Sequence, residues 1–228
     1  MRLLLVFLIA LALPIRADEP LRIAVAANFR PALERINARY EQESGQRFRL
    51  SGASTGVLAN QLLHGAPFDL FFAADADAPA RLRQENIGID TFCYARGQLA
   101  LAGGNLSDLG EQSLSLAIAN PATAPYGRAA QAVLGREEFA AAKGRKLVRG
   151  NNVLQAYQFW RSGAVDRALV ARSLTPDEGI PVPLDWYPAL TQHALVVSDH
   201  PALAAYLEWF RSDTVRSLIL DAGYQSCP

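Results

Sequence analysis

The sequence predicts an α/β protein, because short apolar strands alternate along the chain with segments that have the periodicity of helices. Residues 21–27 are a run of small and apolar residues, and Leu33 and Ile36 follow at helical spacing. The same order returns in the second half of the chain, where residues 98–102 and 115–119 are again apolar runs ahead of a helical segment. Strands that alternate with helices favour mostly parallel sheets covered by helices.

Each predicted element has local support. Asn28 follows the first strand as a helix cap, and Gly163 ends the helix that contains Tyr157 and Trp160. Residues 181–188 carry prolines and are predicted to be a connection. The predicted strands cover residues 21–27, 47–50, 70–74, 98–102, 115–119, 146–148, 168–171 and 194–197. The predicted helices start after Asn28 and include residues 57–63, 130–134, 153–160, 201–212 and 215–221.

The N-terminus has the features of a secretory signal peptide. Arg2 supplies a charged tip, residues 3–13 are apolar, and Ala17 is a small residue suited to cleavage. The apolar stretch is shorter than the roughly 20 residues that span a bilayer. We therefore expect residues 1–17 to be removed from an exported protein, with a retained N-terminal anchor as the alternative.

Charge and cysteine content narrow the classes of partner. The chain of 228 residues has 22 basic and 22 acidic side chains, and removal of Arg2 and Arg16 leaves 20 basic against 22 acidic, a net charge of −2. We therefore expect no nucleic-acid partner.

Cys93 and Cys227 would lie in an oxidising compartment, which permits one disulfide, and two free buried thiols are the alternative.

Four predicted strand-to-helix turns carry small polar groups, and two come from each half of the chain. They lie at residues 27–28, 54–55, 125–127 and 151–153. Ligands of parallel α/β sheets bind outside the carboxyl ends of the strands, where unpaired N–H groups of helix N-termini can receive an anion. The pattern predicts an anion held in a cleft between two lobes. The alternative for Ser54 and Thr55 is that they only cap their helix.

Four segments together resemble a known family. They are residues 24–29, 65–75, 119–127 and 152–157, and the likeness extends over nearly all of the mature chain. Here the chain resembles the periplasmic molybdate-binding proteins of ABC importers, within the larger class of two-lobed solute-binding proteins. The resemblance implies a type II-like periplasmic binding protein fold, in which two mostly parallel sheets flanked by helices are joined by two hinge crossings.

We place the crossings near residues 94–99 and 192–197. The first lobe then consists of residues 18–95 and 196–228, and the second lobe of residues 96–195. The resemblance also implies a periplasmic monomer that delivers molybdate or tungstate to the membrane permease of an ABC importer, without a cofactor. The ligand-binding residues it implies are Ala27, Asn28, Ser54, Thr55, Tyr126 and Val153.

The residues of these turns favour one kind of anion. A fully deprotonated dianion needs only hydrogen-bond donors, whereas hydrogen phosphate also brings a proton that needs an acceptor. The turns contain no Asp or Glu, which predicts molybdate or tungstate over phosphate, with sulfate rejected by pocket size. Asp75, after the third strand, is the nearest candidate acceptor. Ala171 stands where some family members place a tyrosine hydroxyl on the anion.

Other functions stay open at this stage. Arginines near the predicted turns could bind a sulfate-like or carboxylate ligand if they point inward, although solvated rim positions are the simpler interpretation. These arginines are Arg30, Arg128, Arg149 and Arg172.

A secreted hydrolase is a weaker alternative, because the chain has no Gly-x-Ser-x-Gly, His-Glu-x-x-His or Gly-x-Gly-x-x-Gly motif. Its candidate groups would be Ser54, Cys93, His64, His193 and His200. A sensor or partner-docking domain would use the same lobes. We expect no catalytic residue and no site for a bare metal ion.

Overall fold

The computed structural model describes residues 19–228, which form two five-stranded sheets with helices packed against them. The predicted signal peptide, residues 1–17, lies outside the described residues. Within residues 19–228, every helix is too short or too polar to cross a membrane.

The strands of the first sheet are β1 (Leu21–Ala26), β2 (Phe48–Ala53), β3 (Leu70–Phe72), β4 (Asp90–Gly97) and β10 (Leu190–Val196). Their order in the sheet is β2-β1-β3-β10-β4. Strand β1 runs parallel to β2 and β3, and β10 runs antiparallel to β3 and β4. The helices of this lobe are α1 (Arg30–Ser44), α2 (Thr55–Leu63), α3 (Asp77–Gln84), α6 (Leu203–Phe210) and α7 (Asp213–Asp221). We call this sheet and its helices the first lobe.

The strands of the second sheet are β5 (Leu99–Ala102), β6 (Leu116–Ala119), β7 (Leu147–Gly150), β8 (Arg167–Ala171) and β9 (Ile180–Pro181). Their order in the sheet is β7-β6-β8-β5-β9. Strand β6 is parallel to β7 and β8, and β5 is antiparallel to β8 and β9. With α4 (Pro125–Leu134) and α5 (Val153–Arg161) this sheet forms the second lobe. The small buried residues of β5 and β6 allow helices to pack closely on this sheet.

Strand β10 differs from the sequence-based expectation. The predicted strand began at Ala194 and the predicted second lobe ran to residue 195, whereas β10 starts at Leu190 and pairs with β3 and β4 of the first sheet. Polar residues at the start of β10, among them the fully buried Gln192, hide the apolar pattern of a core strand. We propose that the chain crosses between the lobes at residues 97–99 and 182–190.

The C-terminal segment is tied to the first lobe by a disulfide. Cys93 in β4 and Cys227 are bonded, with their Cα atoms 6.1 Å apart and a sequence separation of 134. Backbone hydrogen bonds between Arg96 and Gln225 add a short antiparallel bridge beside it. The sequence alone left disulfide and free thiols open, and the structure has the disulfide.

Candidate functional site

A small cavity lies between the two lobes, at the carboxyl ends of β1, β2, β3 and β7 and at the N-termini of α2, α4 and α5. Its volume is about 10 Å³, close to the space of a single water-sized sphere, so the lobes meet tightly around it. All six residues that the sequence analysis selected line it. The lining consists of Ala26, Ala27, Asn28, Ser54, Thr55, Ala74, Ala124, Pro125, Tyr126, Asn152 and Val153.

Four buried backbone N–H groups line the cavity without a protein acceptor. Within residues 19–228, the N–H groups of Asn28, Thr55, Tyr126 and Val153 make no hydrogen bond, although each residue is at most 3% exposed. Three of them lie in the first turn of a helix, where N–H groups have no intrahelical partner and the helix dipole is positive. A buried donor without an acceptor is costly, so this arrangement suits an anion.

Ala27 differs from the other predicted contacts. Its N–H donates to the carbonyl of Ala53 at 2.9 Å and so continues the pairing of β1 with β2. The sequence could not show this, because the acceptor belongs to the neighbouring strand. Ala27 therefore forms part of the cavity wall without offering its backbone donor.

Two hydroxyl groups add side-chain donors from the first lobe. Ser54 occupies the N-cap position of α2 but makes no capping hydrogen bond, and its buried Oγ has no partner among the described residues. Thr55 Oγ1 accepts the N–H of Ala74 at 2.9 Å, which leaves its own proton free to donate. By contrast, Asn152 caps α5 by accepting the N–H of Gln155 at 3.0 Å. Neither hydroxyl therefore makes a capping hydrogen bond to α2.

The side chains of Asn28 and Tyr126 meet at one amide, that of Gln192, which does not line the cavity. Gln192 Oε1 accepts from Asn28 Nδ2 at 2.9 Å, and Gln192 Nε2 donates to the Tyr126 hydroxyl at 3.1 Å. Tyr94 donates to the same Oε1 at 2.8 Å, and Tyr224 donates to the carbonyl of Asn28 at 2.8 Å. Burial raises the pKa of Tyr94 and Tyr126 well above the ordinary value, so both hydroxyls remain protonated.

Sequence reasoning missed Gln192, Tyr94 and Tyr224. One signal was available, since a glutamine inside a strand that continues into Ala194, Leu195 and Val196 must find hydrogen-bond partners when buried. The network joins the first lobe to Tyr126 of the second lobe and fixes the backbone on both sides of the cavity.

The arginines near the turns do not line the cavity. Arg128 forms an ion pair with Asp75 at 2.6 Å, and Arg30 pairs with Glu34 at 2.8 Å. Arg172 donates to backbone carbonyls of its own loop, and Arg149 is exposed. The alternative in which arginines bind the anion therefore has no support in this arrangement.

The cavity lining contains no acidic, basic or histidine side chain. Asp75 instead caps α3 by accepting the N–H of Ala78 at 3.0 Å and pairs with Arg128. Ser54 consequently has no histidine among its neighbours in the cavity, as a hydrolase would need. Within residues 19–228, no three His, Cys, Asp or Glu residues come together as a metal site.

Comparison with known proteins agrees with this architecture. The chain is 33% identical over 223 residues to the molybdate-binding protein ModA of Azotobacter vinelandii, covering 89% of this chain and 88% of that protein. It is 31% identical over 236 residues to ModA of Rhodobacter capsulatus, covering 96% and 93% respectively.

Solved structures show the same fold. The periplasmic molybdate-binding protein of Azotobacter vinelandii superposes with a TM-score of 0.83 at 28% identity, covering 91% of this chain and all of that chain. The sulfate-binding protein SubI of Mycobacterium tuberculosis H37Rv has a TM-score of 0.70 at 12% identity, covering 90% and 86%, which shows a shared fold only. The predicted two-lobed α/β fold is confirmed.

The family comparison covers almost the whole described chain. Residues 21–225 match the family described as bacterial extracellular solute-binding protein. This match and the two ModA relatives confirm the prediction of a solute-binding protein rather than an enzyme. The chain therefore belongs to the bacterial extracellular solute-binding protein family.

Proposed function

We propose that this protein binds molybdate, and also tungstate, in the periplasm and delivers it as a monomer to the membrane permease of an ABC importer. The observation that carries the proposal is the neutral cavity, in which unpaired N–H groups and the Ser54 and Thr55 hydroxyls are donors without a carboxylate acceptor. The molybdate-binding relatives support the choice of anion.

The same donors explain the expected selectivity. Four backbone N–H groups and two hydroxyls supply up to six donors, which matches an anion whose oxygen atoms all accept. Hydrogen phosphate would bury its proton with no carboxylate to accept it, and a hydroxyl of the lining that accepted this proton would no longer donate to the anion. An unsatisfied buried polar group costs about 1–3 kcal/mol. Because the fold is shared with a sulfate-binding protein, the fold alone does not choose the anion.

Competition calorimetry tests the anion. We expect heat of binding with molybdate and with tungstate, and much weaker binding of sulfate and phosphate. A bound anion at about 100 times its dissociation constant should raise the free energy of unfolding by roughly 2.7 kcal/mol. Absence of both heat and thermal stabilisation with molybdate and tungstate would exclude the proposal, and equal affinity for phosphate would exclude the selectivity argument.

The site of action needs a separate test. The proposed periplasmic protein would begin after Ala17, so N-terminal sequencing of protein recovered from the periplasmic fraction should start at Asp18. Recovery of an intact N-terminus in the membrane fraction would instead support the retained anchor.

A further inference from the structure

Besides the hydrogen bond from Gln192 to Tyr126, two further contacts join the lobes beside the cavity. The carboxylate of Asp75 in the first lobe and the guanidinium of Arg128 in the second lobe are 2.6 Å apart. The N–H of Gly56 in the first lobe donates to the carbonyl of Thr123 in the second lobe at 2.8 Å. Each of these four residues lies within two positions of a residue that lines the cavity.

We propose that these two contacts form a latch that holds the lobes closed over the bound anion, with Asp75 and Arg128 as positioning residues that do not touch the ligand. The inference rests on the proposed function, since a latch matters only for a protein that encloses its ligand. The ion pair also keeps the charges of Asp75 and Arg128 directed at each other, and neither side chain lines the cavity.

The surroundings of the ion pair between Asp75 and Arg128 allow it to form when the lobes close and to break when they open. Asp75 is held in place within the first lobe, because its other carboxylate oxygen accepts the N–H of Ala78 in the first turn of α3. The Asp75 side chain is 14% exposed and that of Arg128 is 47% exposed. A pair of this exposure is partly screened by salt, so it can hold the lobes together without making closure irreversible.

The second contact requires a glycine. A Cβ atom at Gly56 would lie 2.9 Å from the carbonyl oxygen and 3.2 Å from the Cα of Thr123, which is closer than side chains normally approach backbone. Any larger residue would therefore keep the lobes apart. Alanine is a better helix former than glycine, so Gly56→Ala should not weaken α2 within the first lobe.

Asp75→Asn distinguishes a latch from direct electrostatics. If Asp75 acts only through its charge near an anion, removing that charge strengthens molybdate binding. If it acts through the latch, the variant loses the ion pair, and we expect molybdate binding to weaken about two- to fivefold, which is the range for a charge pair with one exposed partner. Asparagine keeps an oxygen for the cap of α3, so the unfolding temperature of the ligand-free protein should stay close to that of wild type.

The matched control is Asp213→Asn, which removes an acidic group from an ion pair with Arg216 inside α7. We expect this variant to bind molybdate like wild type. The double variant Asp75→Asn/Arg128→Gln should bind molybdate no more weakly than the weaker binder of the two single variants Asp75→Asn and Arg128→Gln, because both substitutions remove the same ion pair. High ionic strength should weaken wild-type binding more than binding by the double variant. Stronger binding by Asp75→Asn, or additive losses in the double variant, would overturn the latch.

Gly56→Ala tests closure itself. We expect molybdate affinity to fall more than tenfold, the unfolding temperature of the ligand-free protein to stay at or above that of wild type, and the radius of gyration with molybdate to exceed that of the wild-type complex. Wild-type affinity in this variant would overturn the latch while leaving the proposed function intact. If wild type bound none of molybdate, tungstate, sulfate and phosphate, both proposals would fall.

Discussion

The two lobes offer different kinds of donor to the same cavity. The first lobe presents side-chain hydroxyls at Ser54 and Thr55 together with backbone N–H groups, whereas the second lobe presents only the N–H groups of Tyr126 and Val153. The donors of the second lobe therefore do not depend on residue type, and alanine substitutions in that lobe would leave them in place. The following changes in molybdate affinity test this difference, from the largest to the smallest.

Replacing Val153 by proline should have the largest effect, because it deletes a backbone donor. Val153 is the first residue of α5, where proline fits, and the preceding Asn152 already has the extended conformation that proline requires. A hydrogen bond to a charged group is worth about 1.5–3 kcal/mol, and the ring carbon would also occupy the position of the lost hydrogen, so we expect a loss of at least roughly 100-fold. Calorimetric titration with molybdate measures it.

Val153→Ala is the matched control for that change. It shortens the side chain but keeps the N–H, so affinity should stay within about threefold of wild type, while the shortened core side chain lowers stability by roughly 1–3 kcal/mol. Equal losses of affinity in the proline and alanine variants would show that the side chain, and not the backbone, contributes to binding.

Ser54→Ala should have the next largest effect. The variant removes a proposed donor to the anion but no hydrogen bond within the protein, because Ser54 Oγ has no partner among the described residues. We expect affinity to fall about 10- to 100-fold while the free energy of unfolding without ligand changes by less than about 0.5 kcal/mol. Chemical denaturation measures the free energy of unfolding, and calorimetry on the same sample measures the affinity for molybdate. A large loss of stability would indicate that the hydroxyl is a structural cap after all.

Much of the fold could be predicted because its signals are local. Apolar runs such as residues 21–27 and 115–119 are strands in the structure, and the hydroxyls of Ser54 and Thr55 indicated an anion site by their position at a helix N-terminus. Helix α3 and the early part of β10 were missed, since polar residues interrupt their patterns.

The parts of the site that could not be predicted depend on distant partners. Val153 resembles an ordinary core residue, and only the family resemblance selected it. Gln192 contacts Asn28 across 164 residues and Tyr126 across 66 residues, so no local pattern reveals the network. The hydrogen bond from the N–H of Ala27 to the carbonyl of Ala53 likewise depends on strand pairing and not on residue type.

Tyr126→Phe should reduce affinity less than the first two changes. The tyrosine hydroxyl accepts a hydrogen bond from Gln192, and the substitution removes this hydroxyl while the backbone N–H of residue 126 is kept. The phenylalanine variant leaves Gln192 Nε2 without that acceptor, which should lower the free energy of unfolding by about 1–3 kcal/mol and affinity by tenfold at most. A loss of affinity comparable to that of Ser54→Ala, with unchanged stability, would place the hydroxyl on the anion instead.

Removal of the disulfide should have the smallest effect on affinity and a large effect on stability. Neither Cys93 nor Cys227 lines the cavity, and their bond ties the C-terminal segment to β4 of the first lobe. It closes a loop of 134 residues, for which loop-closure entropy gives a stabilisation of up to about 5 kcal/mol, with 2–4 kcal/mol more typical. The Cys93→Ser/Cys227→Ser variant should therefore unfold at lower denaturant concentration yet bind molybdate like wild type at temperatures where it is folded. Wild-type protein treated with a reducing agent provides a control without mutation. If affinity fell together with stability in both samples, then the rigidity of the first lobe, and not only its donors, would determine binding.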